Sequence, residues 1–285
     1  MSGKYINPFT DFGFKRLFGE EANKDILMDF LNELLREEQG EIKELTFKKS
    51  EQLGRQLVDR KAIFDIYCEN EKGEKFIVEM QKAKHDFFKD RSVFYSTFPI
   101  REQAERGEWN YKLNAVYTIA ILDFVFEEDK LDPDKMLYRV KLSDIETNKV
   151  FYDKLSFIYL EMPKFKKSLD ECDNHFERWL YVLRNLEKID KYPDALQEKI
   201  FKKLFGEAEI ASLAPEELEE YDDSLKVYRD MKGCIDTAHS EGYQEAVEEM
   251  SHELQRVEQE KQKMVELLLS MGLSDDEIKK RLDAL

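Results

Sequence analysis

Asp65-Ile-Tyr-Cys-Glu-Asn-Glu-Lys-Gly-Glu-Lys-Phe-Ile-Val-Glu-Met-Gln81 is the stretch on which the fold turns. Two runs rich in β-branched and aromatic residues, Ala62 to Cys68 and Lys75 to Lys82, flank Glu71-Lys72-Gly73, a three-residue loop with glycine where such a hairpin needs a positive φ. The implied register mirrors the strands about Lys72, so Asp65 lies opposite Glu79, and Gln81 follows on the same face. Phe64, Ile66, Cys68, Phe76, Val78 and Met80 make up the other face, an apolar set that must look into a core. Two carboxylates a few ångströms apart repel unless a proton or a metal sits between them. The competing reading is two exposed acids, each paired with a lysine across the strands. Asp59 shares the parity of Asp65 and is a second candidate for the first metal ligand.

Upstream, Asn7-Pro8-Phe9-Thr10 reads as a loop; Thr10 or Asp11 can cap a short helix ending at Phe18, with Gly19 as its stop. From Asn23 to Arg36, Ile26, Leu27, Phe30, Leu31, Leu34 and Leu35 recur on one side of an amphipathic helix. Ile42 to Lys49 is a candidate strand. Downstream, Ala83 to Arg106 is helical in pattern, with Pro99 expected to kink or split it and Gly107 to end it. Leu113 to Phe124 is almost continuously apolar. It predicts a strand buried on both faces, reached by the helical crossover that a parallel neighbour requires. Tyr138 to Leu142 and Leu155 to Glu161 are further strands. This order is that of an α/β fold, an αβββαβ core with added strands over residues 1–165.

Beyond Lys166 the pattern predicts helices, over about 174–188, 193–205, 215–231 and 238–270. Residues 166–235 form a helical region. In the last helix Val247, Met250, Leu254, Val257, Lys261, Met264, Leu268 and Met271 alternate spacings of three and four, an a/d seam with one lysine in it. Residues 236–285 therefore read as a coiled-coil-like tail, closed by Gly272 and a capping box from Ser274 to Glu277.

The chain of 285 residues is 42% hydrophobic and carries a net charge of −17. The charge is uneven: residues 1–112 balance at −2 and the remainder at −15. The N-terminal part can present a local basic face, while the acidic remainder limits non-specific binding to DNA. Cys68, Cys172 and Cys234 are widely spaced, which predicts reduced thiols and a cytoplasmic protein. Cys172 and His175 have a C-x2-H spacing with no second ligand pair to complete a structural zinc site. No apolar run is long enough to span a membrane, and Met1 to Pro8 contains no signal-peptide core.

Asp65…Glu79-x-Gln81 resembles the PD-(D/E)XK nuclease signature, in which an Asp precedes Glu-x-Lys. The flanks narrow the likeness. Asp11-Phe-Gly-Phe-Lys15-Arg-Leu-Phe-Gly19, Phe30-Leu-Asn-Glu-Leu-Leu35, Ile77-Val-Glu-Met-Gln81, Arg91-x-x-x-Tyr95, Gln103…Gly107…Tyr111, Leu122-Asp-Phe124 and Met271-Gly-Leu-Ser-Asp-Asp-Glu-Ile278 resemble, in order, the motifs of the recombination-promoting nuclease (Rpn) family. That resemblance implies a divalent-metal-dependent DNA endonuclease linked to recombination or mobile elements in bacteria. It implies catalytic roles for Asp65, Glu79 and Gln81, with Mg²⁺ (or Mn²⁺ or Ca²⁺) held by Asp65, Glu79 and the Met80 carbonyl. Double-stranded DNA is the implied substrate. The sequence departs from the pattern twice: Gln81 stands where lysine is usual, and Phe64 precedes Asp65 where proline is usual.

Gln81 can orient a water or contact the scissile phosphate, but it supplies no positive charge. Lys82 should face away from it if the strand stays regular, which leaves Lys84 or Lys15 to replace the missing cation. Arg91 and Tyr95, one turn apart, either lean toward DNA phosphate or leave Arg91 to pair with an acid. Asp11 and Lys15 brace the hairpin from the first helix or simply pair with each other. Gln103 and Tyr111 are structural or DNA-proximal, and His85 is a surface residue. The heptad seam predicts a homodimer through the C-terminal helices. The alternative function is a catalytically silent nuclease-fold module that binds DNA or protein and assembles through its helical tail.

Overall fold

The computed structural model describes residues 3–38, 40–52, 62–104, 108–129 and 132–270, apart from the side chains at 258, 261 and 268. Asp59, Gly107 and the tail motif from Met271 to Ile278 lie outside the described residues. Thr10 caps the first helix, α1 (Asp11–Phe18), through its hydroxyl, which accepts from the Gly13 amide; Gly19 closes the helix. A short 3-10 turn leads into α2 (Lys24–Leu34), whose Ile26, Leu27, Phe30, Leu31 and Leu34 are fully buried.

Six strands form the main sheet: β1 (Leu45–Phe47), β4 (Ile66–Asn70), β5 (Lys75–Gln81), β6 (Val116–Leu122), β7 (Leu137–Ser143) and β8 (Val150–Glu161), in the order β1-β4-β5-β6-β8-β7. β5, β6 and β8 run parallel, while β4 and β7 pair antiparallel at their flanks. Every residue of β5 and β6 is buried, so both faces of the sheet must be covered. α3 (Phe88–Glu102) is the crossover between β5 and β6, and its Phe98 packs with Tyr67 and Ile77 of the sheet. On the other side, α1 and α2 pack with α4 (His175–Asn185) and α5 (Lys199–Glu207) around Phe18, Phe30, Trp179 and Phe201. Truncating one of these buried rings to alanine is worth about 3–5 kcal/mol.

The structure revises several expected boundaries. Of the Ile42–Lys49 run only β1 is a strand. The run from Ala62 to Cys68 breaks at Phe64-Asp65: β3 (Ala62–Ile63) leaves to pair with β2 (Glu51–Gln52). The break reverses the alternation, so Phe64 sits on the α3 side with Tyr67, Ile77 and Phe98, not with Ile66 and Cys68. α3 starts at Phe88 rather than Ala83, and Pro99 lies inside it without splitting it. Ser96 and Thr97 donate their hydroxyls to the Val93 and Phe94 carbonyls, which occupies acceptors near the turn the proline disturbs. The helices expected over 215–231 and 238–270 are one, α6 (Pro215–Ser270), of 56 residues. Gly233 and Gly242 lie within it in open space, where glycine weakens a helix but does not break it.

Residues Met1–Arg229 form one compact unit and Asp230–Leu285 a second. The first includes the beginning of α6, anchored by the buried Tyr221 and Leu225. In the second, Val247, Met250, Leu254, Val257 and Met264 are 42% to 66% exposed. Among the described residues no helix is long and apolar enough to cross a membrane.

The β4–β5 turn follows the mirrored register, Ile66 pairing with Val78 and Glu69 with Lys75. Asn70 Oδ1 accepts from the amides of Lys72 and Glu74, both at 3.0 Å, and the Gly73 amide donates to the Asn70 carbonyl. Gly73 has φ +78°, and a Cβ there would meet Asn114 Nδ2 at 2.6 Å. Gly73→Ala should lower the unfolding free energy by about 1–2 kcal/mol, read from urea denaturation.

Candidate metal centre

Asp65 and Glu79 meet where the regular β4–β5 ladder stops. The last paired rung is Ile66–Val78. At the next one, side chains take over the hydrogen bonding. The Asp65 amide donates to Glu79 Oε1 at 3.3 Å, and the Met80 amide donates to Asp65 Oδ2 at 2.8 Å. Each carboxylate thus spends one oxygen on the opposite backbone and keeps the other for a further partner. The bend at Asp65, which also turned Phe64 over, gives the carboxylate its reach to Met80.

Glu79 is 8% exposed. Burial raises its pKa, and the neighbouring Asp65 raises it further, against the opposing pull of Arg91 and Lys15. Asp65 is also raised, first by burial and then by Asp11, although the Met80 amide and the charges of Lys15 and Lys82 lower it. Left to themselves, the two acids hold more negative charge than their surroundings balance. Among the described residues no group of three or more His, Cys, Asp or Glu side chains is placed to hold a metal. A cation here would rest on these two carboxylates with main-chain oxygen and water. That is a hard oxygen donor set of the type Mg²⁺, Mn²⁺ and Ca²⁺ accept.

Both ends of the Gln81 amide have a partner. Its Nε2 donates to the Ala83 carbonyl at 3.0 Å, and its Oε1 accepts from the Arg91 guanidinium. Arg91 lies against the rings of Phe88 and Tyr95, 5.0 and 5.5 Å from their centroids. Tyr95 is fixed in turn by an edge contact with Phe64 at 5.3 Å. Arg91 therefore pairs with the amide rather than with an acid, and it brings a permanent charge to the position where the motif usually has lysine.

The other expected cations are placed differently. Lys15 pairs with Asp11 within α1 at 3.0 Å, and both line a cleft of about 710 Å³ together with Asp65. Lys84 pairs with Glu127 at 3.1 Å on the surface and is not brought to the carboxylates. Lys82, expected to face away, lies near Asp65 and Asp11. Burial lowers its pKa while those two acids raise it. β5 ends at Gln81, so the alternation that would turn Lys82 away no longer applies. Gln103 ties the end of α3 to the approach to β6: its Nε2 donates to the Pro99 carbonyl and its Oε1 accepts from the Asn114 amide at 2.7 Å. His85 is exposed, as expected. Cys172 and His175 have separate partners: Cys172 Sγ donates to the Ser168 carbonyl, and His175 Nε2 lies 2.7 Å from Asp29 Oδ1.

The far wall of the cleft is α6, which contributes Glu220, Asp223 and Ser224. Ser224 Oγ accepts from the Phe12 amide, and the Tyr221 hydroxyl from the Asn7 amide. The Tyr228 hydroxyl donates to Asp123 Oδ2 at 2.8 Å, and the Asp123 amide donates to the Gln81 carbonyl at 2.9 Å. This wall was not marked by sequence pattern, and the strand period set Lys82 on the wrong face. The one signal for the wall was Leu122-Asp-Phe124, whose aspartate joins it to the end of β5.

A family model described as "PD-(D/E)XK nuclease family transposase" matches residues 8–238. No curated protein and no solved structure matches the chain.

An acid whose folded pKa is raised favours the fold most below its unfolded pKa, and it loses that contribution as pH rises through the folded value. Asp65 and Glu79 both shift upward. The metal-free protein should therefore lose stability through this pair as pH climbs from about 4 past neutrality. Glu79→Gln removes one of the titrations. Urea unfolding at pH 5 and pH 8 should show a smaller loss for the variant, which should exceed the parent by about 1 kcal/mol at pH 8.

Proposed function

We propose that this chain, which belongs to the PD-(D/E)XK nuclease family of transposases, is a divalent-metal-dependent DNA endonuclease acting in the cytoplasm on double-stranded DNA. Nucleases of this family generally use divalent metals, and the match extends from Pro8 through the cleft wall on α6. The observation that carries the reading is the reciprocal Asp65–Glu79 arrangement: a buried and a half-buried carboxylate, each with one oxygen committed to backbone, whose repulsion a divalent cation would relieve. Asp65 and Glu79, with the Met80 carbonyl, are the groups proposed to hold Mg²⁺, or Mn²⁺ or Ca²⁺ in its place. When bound, such an ion neutralises charge building on the phosphoryl oxygens and makes a water more acidic.

The chain's own residues do the rest. Gln81 does not act as a free amide, because Arg91 occupies its Oε1 and Ala83 its Nε2. In this reading it holds the guanidinium toward the phosphodiester, and Arg91 supplies the charge that lysine would have given. Tyr95 and Phe88 fix Arg91 by stacking, so little rotamer freedom is lost when substrate arrives. Lys15 and Lys82 moderate the acidity of the cleft. A homodimer is proposed as well, formed by burying the exposed Val247, Met250, Leu254, Val257 and Met264 seam against a second copy.

Nicking of plasmid DNA should require Mg²⁺ or Mn²⁺ and stop with EDTA. Asp65→Ala and Glu79→Ala should each lose about 10²-fold or more, and full activity in either would overturn the assignment. Arg91→Ala should lose about 10²-fold. Gln81→Lys, which sets an ammonium against the guanidinium, should not raise activity in the parent but should recover part of the loss in Arg91→Ala. Tight metal binding without any cleavage would favour the silent-module alternative. Truncation after residue 235 should convert a dimer to a monomer in light scattering, and an unchanged mass would remove the seam from that role.

A further inference from the structure

The loop that leaves the candidate site, Lys82 to Phe87, ends in a residue that fold stability alone does not account for. Phe87 adopts a left-handed backbone conformation, φ 62° and ψ 25°, and its side chain is 79% exposed. Glycine or asparagine takes that conformation readily; a bulky residue holds it against its own Cβ. The neighbouring Phe88 is buried among Phe124, Phe126 and Tyr159, so the core has taken one ring of the pair and left the other in water.

The position matters. The Phe87 carbonyl accepts from the Arg91 amide at 2.9 Å, one turn along α3, and the Arg91 side chain is the one bonded to Gln81. Phe87 therefore lies one helical turn along the backbone from Arg91. Of the cations in the same ten residues, Lys84 and Lys89 pair with Glu127 and Glu128, while Lys82 and Arg91 lie near the two carboxylates. Tyr111 provides an internal contrast. It is also left-handed and 78% exposed, but its ring packs at a tilt against Trp109, centroids 4.8 Å apart, and it precedes the start of β6, at the opposite end of the sheet from Gln81.

We infer that Phe87 is a base-stacking residue: its ring inserts against a nucleobase beside the phosphodiester that Arg91 faces, so that cleavage favours DNA able to unstack there. Cations for the backbone and an aromatic face for a base are the two components of such a surface. The inference rests on the nuclease reading above.

The test uses the full-length protein with Mg²⁺, plasmid nicking kinetics, thermal melting, and a duplex carrying 2-aminopurine near the cut position. Phe87→Ala should raise KM about tenfold and abolish the 2-aminopurine fluorescence rise seen with the parent, while Phe87→Trp retains both properties. Phe87→Gly should melt higher than the parent yet show the same loss as Phe87→Ala, a split that a structural residue would not produce. If Phe87→Ala cuts with an unchanged KM, or if Phe87→Gly melts lower in step with its loss, the stacking role is wrong and the nuclease reading stands. A parent protein that cuts no DNA with any divalent metal overturns both.

Discussion

A carboxylate that accepts from a strand amide does the work of a carbonyl and still has an oxygen to spare. Asp65 does this for the Met80 amide, and Glu79 returns a similar bond to the Asp65 amide. The edge of the β4–β5 pair is thereby closed without further backbone pairing, and two acids are fixed within reach of each other. The rest of the molecule serves this constraint. β5 is held between β4 and β6, its two faces are covered by α3 and by the α1–α2–α4–α5 layer, and burial keeps the acids from relaxing into water. The cost is a like-charge pair withdrawn from water, which raises the pKa of both acids.

Much of this could be read in the sequence because it is local. The mirrored register about Lys72 follows from loop length and Gly73, and the parallel neighbour follows from the unbroken apolar run of β6. What could not be read depends on places where a period stops. The bend at Phe64-Asp65 turns Phe64 to the α3 side, and the end of β5 at Gln81 brings Lys82 back toward Asp65. Alternation gives the wrong face in both cases because the strand is no longer there. The Arg91–Gln81 bond is a third kind of case: spacing put Arg91 near the site, but only the crossover geometry of α3 chose the amide over an acid. The merging of two predicted helices into α6 shows the limit of glycine as punctuation in an exposed helix.

The charge distribution follows the same logic at larger scale. The cleft beside Asp65 is lined by Asp11, Glu220 and Asp223 as well as Lys15 and Arg16, so phosphate meets acids as well as bases there. Arg91 and Lys82 lie close to the carboxylates, and the C-terminal part of the chain holds most of the excess acid. Such a surface disfavours casual binding of nucleic acid and leaves productive contact to a small cationic area.

The attachment of α6 has a consequence in time. Its residues 220–224 complete the cleft, and Tyr228, through Asp123, reaches the end of β5. During synthesis the acids at 65 and 79 emerge early, but the wall that faces Asp65 leaves the ribosome only after some 140 further residues have been joined. A nascent chain therefore carries the two acids well before it carries a finished cleft, and assembly of that pocket is among the last steps of maturation of the Met1–Arg229 unit.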